Sequence, residues 1–267
     1  MSFIEKYLVE PFKYIESDWF KVLIGGSLLF FYMVVDMVSS ILLGQFVFIF
    51  IFILDLFISI VISGYYIEVI KNILNEVDTL PNWSNLMEIV KDGILYNIAL
   101  LILLIIAFIP VLLLLIVGGL FIAKGGYSTY LLESSVQGAS GVALIFLGMT
   151  AILLILIILA LIIYIPLATV NFAKKGFLGF FEFFNVLKKI SFEYILVFLL
   201  YTVLFIIIIT IFVIVSIFSA FIVFIPFIGI PISVLIMLIV TAITTMISFI
   251  VGIMFYSAVT KYYLERL

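Results

Sequence analysis

The 267-residue chain is 68% hydrophobic and 10% charged, with 12 Lys and Arg against 15 Asp and Glu and a net charge of −3. A soluble globular domain holds about 45–50% apolar residues, so a mean hydropathy of +1.55 excludes that class and points to an all-α polytopic membrane protein. Barrel strands need alternating polarity, whereas long tracts here are apolar on every side. The chain has no Cys and no His, which removes disulfides, thiolate chemistry, the commonest general base and the commonest zinc ligand. No cofactor or metal is expected, and no basic patch of nucleic-acid size is present.

In chain order, residues 3–19 place Ile4, Tyr7, Leu8, Phe12, Ile15 and Trp19 on one helical side, away from Glu5, Lys6, Glu10, Lys13, Glu16 and Asp18. Pro11 is expected to break or kink this amphipathic helix. Charges of both signs and the lack of an apolar core before residue 21 argue against a cleavable signal peptide, leaving targeting to the first span. Six apolar spans follow, at about 21–43, 46–70, 94–123, 142–165, 195–225 and 232–257. Each is long enough, at about 1.5 Å per residue, to cross a hydrocarbon core of about 30 Å.

Gly44-Gln45 is the only punctuation between the first two spans, which therefore form a hairpin. Residues 80–93 read as a second amphipathic helix, with Trp83, Leu86, Met87, Val90 and Ile94 on one side and Pro81 in its first turn. Pro110 should kink the third span, residues 124–141 read as a small, polar loop, and Pro166 closes the fourth span. Residues 172–193, rich in Lys and Phe, read as a third interfacial segment. Residues 226–231 form a hydrophobic turn before the last span. Small residues spaced by four, Ser59/Ser63 and Ser248/Gly252, suit close helix crossings.

The N-terminal segment, 71–93, 172–193 and the C-terminal tail hold eleven of the twelve Lys and Arg, and the alternate connections hold only Lys124. That bias predicts a multi-pass protein of the cell membrane with both termini cytoplasmic. Aromatic boundaries at Asp18-Trp19, Leu95-Tyr96 and Glu193-Tyr194, each closing an amphipathic segment and opening a hairpin, suggest one membrane domain of three parallel repeats, 1–75, 80–175 and 176–267. Trp19, Trp83 and Tyr194 are the expected interfacial anchors.

Several local strings carry a resemblance. Asp18-Trp19-Phe20-Lys21-Val22-Leu23-Ile24-Gly25-Gly26, Gly64-Tyr65-Tyr66, Leu80-Pro81 with Trp83 and Asp92-Gly93, and Asn171-Phe172-Ala173-Lys174-Lys175-Gly176 leading into Phe181-Glu182-Phe183 span nearly the whole chain. With them the chain resembles an archaeal family of integral membrane proteins catalogued as domain of unknown function 4013. The resemblance implies a multi-spanning membrane protein and assigns no catalytic residue.

Asp36 and Asp55 are the ionisable groups lying well inside apolar tracts, and the helical rise puts both about 12–15 Å below the outer turn at Gly44-Gln45. One reading is a proton or cation site shared by the first two spans, since intramembrane carboxylates are costly. The plainer reading is a neutral acid facing Tyr32, Ser39, Ser40, Ser59, Ser63 or shallow water. Lys174, Lys175, Lys188 and Lys189 are candidate contacts for anionic lipid headgroups, or simply the positive-inside signal. The expected function is therefore a non-enzymatic membrane scaffold that meets the lipid bilayer and a cytoplasmic protein or a second copy of itself. The alternative is a proton- or cation-linked small-solute transporter using Asp36 and Asp55.

Overall fold

The computed structural model describes residues 2–42, 47–128 and 134–266. A π-helical turn, Glu5–Val9, leads into α1 (Glu10–Glu16), followed by α2 (Trp19–Leu42), α3 (Val47–Leu74), α4 (Leu86–Ser128), α5 (Ser134–Lys175), the short α6 (Phe183–Leu187), α7 (Phe192–Ile222) and α8 (Gly229–Leu264). Six of these, α2, α3, α4, α5, α7 and α8, are long and apolar enough to cross a membrane, and no strand occurs among the described residues. The chain is thus an all-α polytopic membrane protein. Its six spans match the six apolar tracts read from the sequence.

Pro11 neither breaks nor ends its helix. The preceding turn widens so that the Glu10 N–H bonds the Glu5 carbonyl, which takes up the extra room that a proline ring needs. Having no N–H, Pro11 cannot bond the Tyr7 carbonyl four residues back. That carbonyl instead accepts the Tyr201 phenol of α7 at 2.7 Å, so a group freed by the proline is paired inside the bundle.

Two compact units form, residues 1–97 with 166–267, and residues 98–165. In the first, α8 is the hub, packing against α1, α2, α3 and α7. Phe249, Ile253, Ser257, Ala258, Val259, Tyr262 and Tyr263 are almost fully buried, and burial around the whole circumference marks a central helix. Gly25 and Gly26 of α2 lie against Phe249 and Met246, and Gly252 lies against Tyr66. The second unit contains Gly118 against the Phe146 ring. Its outward side chains, among them Ile105, Leu112, Leu113, Ile152 and Leu156, are exposed aliphatics, the surface that lipid tails accept.

Helices α3 and α4 cross with their backbones in direct contact. A β-carbon on Gly64 would fall onto the Ile89 carbonyl, and one on Gly93 onto the Ile60 carbonyl. Backbone meets backbone, the arrangement that small residues permit in membrane helices. The expected crossing at Ser59/Ser63 is displaced by one residue, and Ser63 instead accepts the Asn97 amide at 2.8 Å.

Other expectations are corrected. Residues 80–93 are not a separate interfacial helix: a 3-10 turn, Trp83–Asn85, opens α4, which continues unbroken through the span. Their buried side is Ile89, Gly93 and Tyr96, while Leu86, Met87 and Ile94 are exposed. The helix register follows the Gly64–Gly93 contact, which a hydrophobicity pattern does not reveal. Pro166 lies inside α5, as proline can where neighbours satisfy the freed carbonyl. Helix reaches Ser128 and resumes at Ser134, so most of the expected 124–141 loop is helical. Gly44-Gln45 and the side chains of Ser39, Ser40 and Lys124 lie outside the described residues. Residues 172–193 are broken rather than continuous: α5 ends at Lys175, the next residue is Gly176, whose φ of +79° suits glycine, and a 3-10 turn precedes α6.

Gly93→Ala should lower stability by about 1–3 kcal/mol, the usual cost of overpacking, whereas Gly119→Ala, with nothing within 4 Å of the added carbon, should not. Thermal unfolding of the two variants in detergent compares them directly; equal midpoints would show that the backbone approach is not a constraint.

Candidate functional site

Polar side chains gather at one end of the first unit. The connection after α3 is held there by its own backbone groups. The Thr79 carbonyl accepts the Tyr14 phenol at 3.0 Å and the Asn72 amide at 2.9 Å. Leu80 donates its N–H to Ser17 at 3.2 Å, and its carbonyl accepts the Lys21 ammonium at 2.7 Å. Trp83 stacks on Tyr65 with ring centroids 4.1 Å apart and donates its indole N–H to the Lys21 carbonyl at 2.8 Å. Lys71 forms ion pairs with Glu68, at 2.8 Å, and with Asp92.

The second polar connection is built on Asn171. Its amide donates to the Gly179 carbonyl at 2.6 Å, and its oxygen accepts the Tyr263 phenol at 2.6 Å. Lys175 pairs with Glu182 at 2.5 Å. That ammonium, aided by Asn185 and Asn171, holds the Glu182 carboxyl down at about 2. Lys6 joins this end to both neighbours, bonding Glu193 at 3.3 Å and Glu265 at 2.5 Å, while Lys261 reaches Glu10 at 2.6 Å. Burial works to lower the Lys6 pKa, but its bonds to Glu265, Tyr7 and Glu193 outweigh burial and raise it. The N-terminal segment, both connections and the end of α8 thus form one interlocked polar cap.

Within the cap, a cleft of about 560 Å³ is lined by Lys175, Lys188, Lys189, Arg266, Asn185 and Tyr263, with Asn171 at its base. Lys189 donates to the Arg266 carbonyl at 2.6 Å and sits 4.4 Å from the Tyr263 ring centre. Burial, reinforced by repulsion from Lys174, Lys175 and Arg266, lowers its pKa. Among the described residues Lys174, Lys188 and Lys189 form no ion pair with a carboxylate. Of the four lysines singled out in the sequence, Lys175, Lys188 and Lys189 line this cleft, while Lys174 lines a separate one with Lys71 and Asn75; the sequence did not point to Arg266, Asn185 or Tyr263. Only the packing of α8 beside residues 171–189 brings these together.

The intramembrane acids are placed differently. Asp36 lines a cavity of about 430 Å³ with Met33, Phe212, Thr241, Thr245 and Ser248. Asp55 is on α3 and is not among the residues that line this cavity. Of the expected interfacial anchors, Trp19 is half exposed with its edge toward Phe12. Trp83 and Tyr194 point inward instead, 9% and 0% exposed, because Tyr65 and Tyr262 offer them ring partners.

A helical membrane protein with a locked polar cap is the class these features define. By sequence the chain belongs to the family described as protein of unknown function DUF4013, whose model matches residues 46–224. It is similar to two proteins of Methanocaldococcus jannaschii, uncharacterized protein MJ1189, 30% identical over 220 residues, and uncharacterized protein MJ0233, 30% identical over 222. Each match covers 74% of this chain and 72% of the relative. No solved structure matches. The strings that carry the family likeness meet in space: Gly64 with Gly93, Tyr65 with Trp83, and Asn171 with Glu182.

Because Glu182 has a depressed carboxyl pKa, the stability it adds is present above the ordinary value of 4.5 and is lost as pH falls toward about 2. The stability difference between the wild type and Glu182→Gln should therefore shrink across that acid window. Thermal melts at stepped pH test this, and a constant difference would refute the pairing.

Proposed function

We propose that the protein is a non-enzymatic membrane scaffold whose cap faces the cytoplasm and presents a fixed surface to lipid headgroups and to a partner, either a cytoplasmic protein or a second copy. The observation that carries this reading is the interlocking of the cap. Ion pairs from Lys6 and Lys261 tie the N-terminal segment to α7 and α8, so the surface is held in one shape. The lysine excess on this end supports a cytoplasmic orientation by the positive-inside rule. The lack of His and Cys in the chain supports a role other than catalysis.

A second reading, a proton- or cation-linked carrier, is favoured by one feature. Asp36 opens onto a cavity that also contains the Thr241, Thr244, Thr245 and Ser248 side chains, and hydroxyls beside a carboxylate are the oxygen donors a hard cation prefers. The Thr244 and Thr245 hydroxyls already donate to carbonyls one turn back, at 2.7 and 2.8 Å, which leaves their lone pairs free to accept.

Reporter fusions after residue 266 should report the cytoplasm, and a reporter inserted in the 223–228 turn should report the opposite side; reversed signals would overturn the orientation. Liposomes containing the purified protein should show proton and cation flux no greater than empty ones. Flux abolished by Asp36→Asn would instead establish the carrier reading.

A further inference from the structure

The cationic cleft in the cap has the chemistry of a phosphate site. Four cationic side chains and the Asn185 amide converge on one space, and amide and ammonium donors together suit a group with several acceptor oxygens. Lys175 and Arg266 are partly neutralised by Glu182 and Glu193, at 2.5 and 3.2 Å, but Lys188 and Lys189 have no carboxylate partner among the described residues. Buried beneath them, the Tyr263 phenol and Asn171 are fixed to each other, so the floor of the cleft is rigid before any ligand arrives. A preformed site loses less freedom on binding than one assembled around its ligand.

The flanks say what kind of phosphate fits. On the short helix that carries Asn185, Phe184 and Leu187 are exposed, and Leu178 and Phe192 on either side of it are about three-quarters exposed. Such residues beside a span have no partner in water, but are satisfied at the boundary between headgroups and acyl chains. Cationic groups then sit at headgroup level while the aromatics reach the upper part of the tails.

We propose that the cleft of Lys175, Lys188, Lys189 and Arg266 binds the phosphate of an anionic lipid, whose chains run over Phe184, Leu187 and Phe192. This deepens the scaffold reading and rests on its claim that the cap meets lipid headgroups, but does not depend on which side of the membrane the cap faces. Lys188 is the variable position of the site, because it lines the cleft without taking part in the Asn171–Tyr263 lock.

The test uses the full chain, purified in a mild detergent and titrated with phosphatidylglycerol or phosphatidylcholine, with retained lipid counted by native mass spectrometry. Phosphatidylglycerol should be held about tenfold more tightly than phosphatidylcholine, and Lys188→Glu should abolish the preference. Lys188→Arg should keep it, as should Lys91→Gln at a position outside the lining of the cleft, with thermal midpoints confirming that every variant is folded. Equal retention of the two lipids, or a preference that survives Lys188→Glu, would overturn the proposal. So would millimolar inorganic phosphate raising the thermal midpoint through Lys188 while no phosphatidylglycerol is retained, since the ligand would then be a free anion. Fusions that place the cap outside the cell would refute the cytoplasmic orientation and leave the lipid result standing, so the two failures are separable.

Discussion

The constraint on which the rest of the structure depends is the backbone contact between Gly64 and Gly93. Two helices whose glycines lie against each other's carbonyls have little freedom to slide or rotate, because any shift brings a β-carbon of a neighbouring residue into the same space. The register of α4 follows from this contact, and so does the path of the connection that precedes it. That connection has to bring Trp83 back over Tyr65 and within reach of the Lys21 carbonyl. Lys71 and Asp92 then lie side by side. A steric rule in the apolar region thus dictates the placement of charged groups outside it.

The same logic extends to the other side of the cap, where hydrogen bonds take over the role of close packing. Asn171 lies where α5 is about to end, and its amide donates to the carbonyl of Gly179, which also accepts the Glu182 N–H. Glycine at 176 reverses the chain at a positive φ, and Tyr263 completes the lock from α8. Only because both connections are immobilised in this way does a cluster of like charges persist around one cleft. Repulsion among Lys174, Lys175, Lys189 and Arg266 is offset by the two carboxylates and by the aromatic faces of Tyr262 and Tyr263.

What the sequence made legible was whatever depends on composition over twenty residues or more. The class, the number of spans and their approximate limits follow from apolar length, and this signal is strong because the bilayer leaves few alternatives. What stayed hidden depends on single contacts. Leu86, Met87 and Ile94 form an apolar side in the sequence, but in a membrane protein an apolar side is as well satisfied by lipid as by protein, so the pattern does not say which side meets the neighbouring helices. The inward side is instead marked by Gly93 and Tyr96. Trp83 looked like an anchor by the same habit of reading, and only the position of Tyr65, eighteen residues earlier and on another helix, turns it inward. Arg266 of the cleft could not have been found, because no local pattern links it to Lys188.

The central position of α8 also has a bearing on biosynthesis. Ribosomes deliver α1 to α7 before α8, yet Glu10 is held by Lys261, and α2, α3 and α7 all pack on α8. The earlier spans therefore enter the bilayer around a gap, with Gly25, Gly26 and Tyr66 facing lipid until Phe249, Met246 and Gly252 arrive. Contacts so far apart along the chain close slowly. During that interval the unfinished bundle is the species most exposed to quality-control proteases and to mispairing with other nascent membrane proteins.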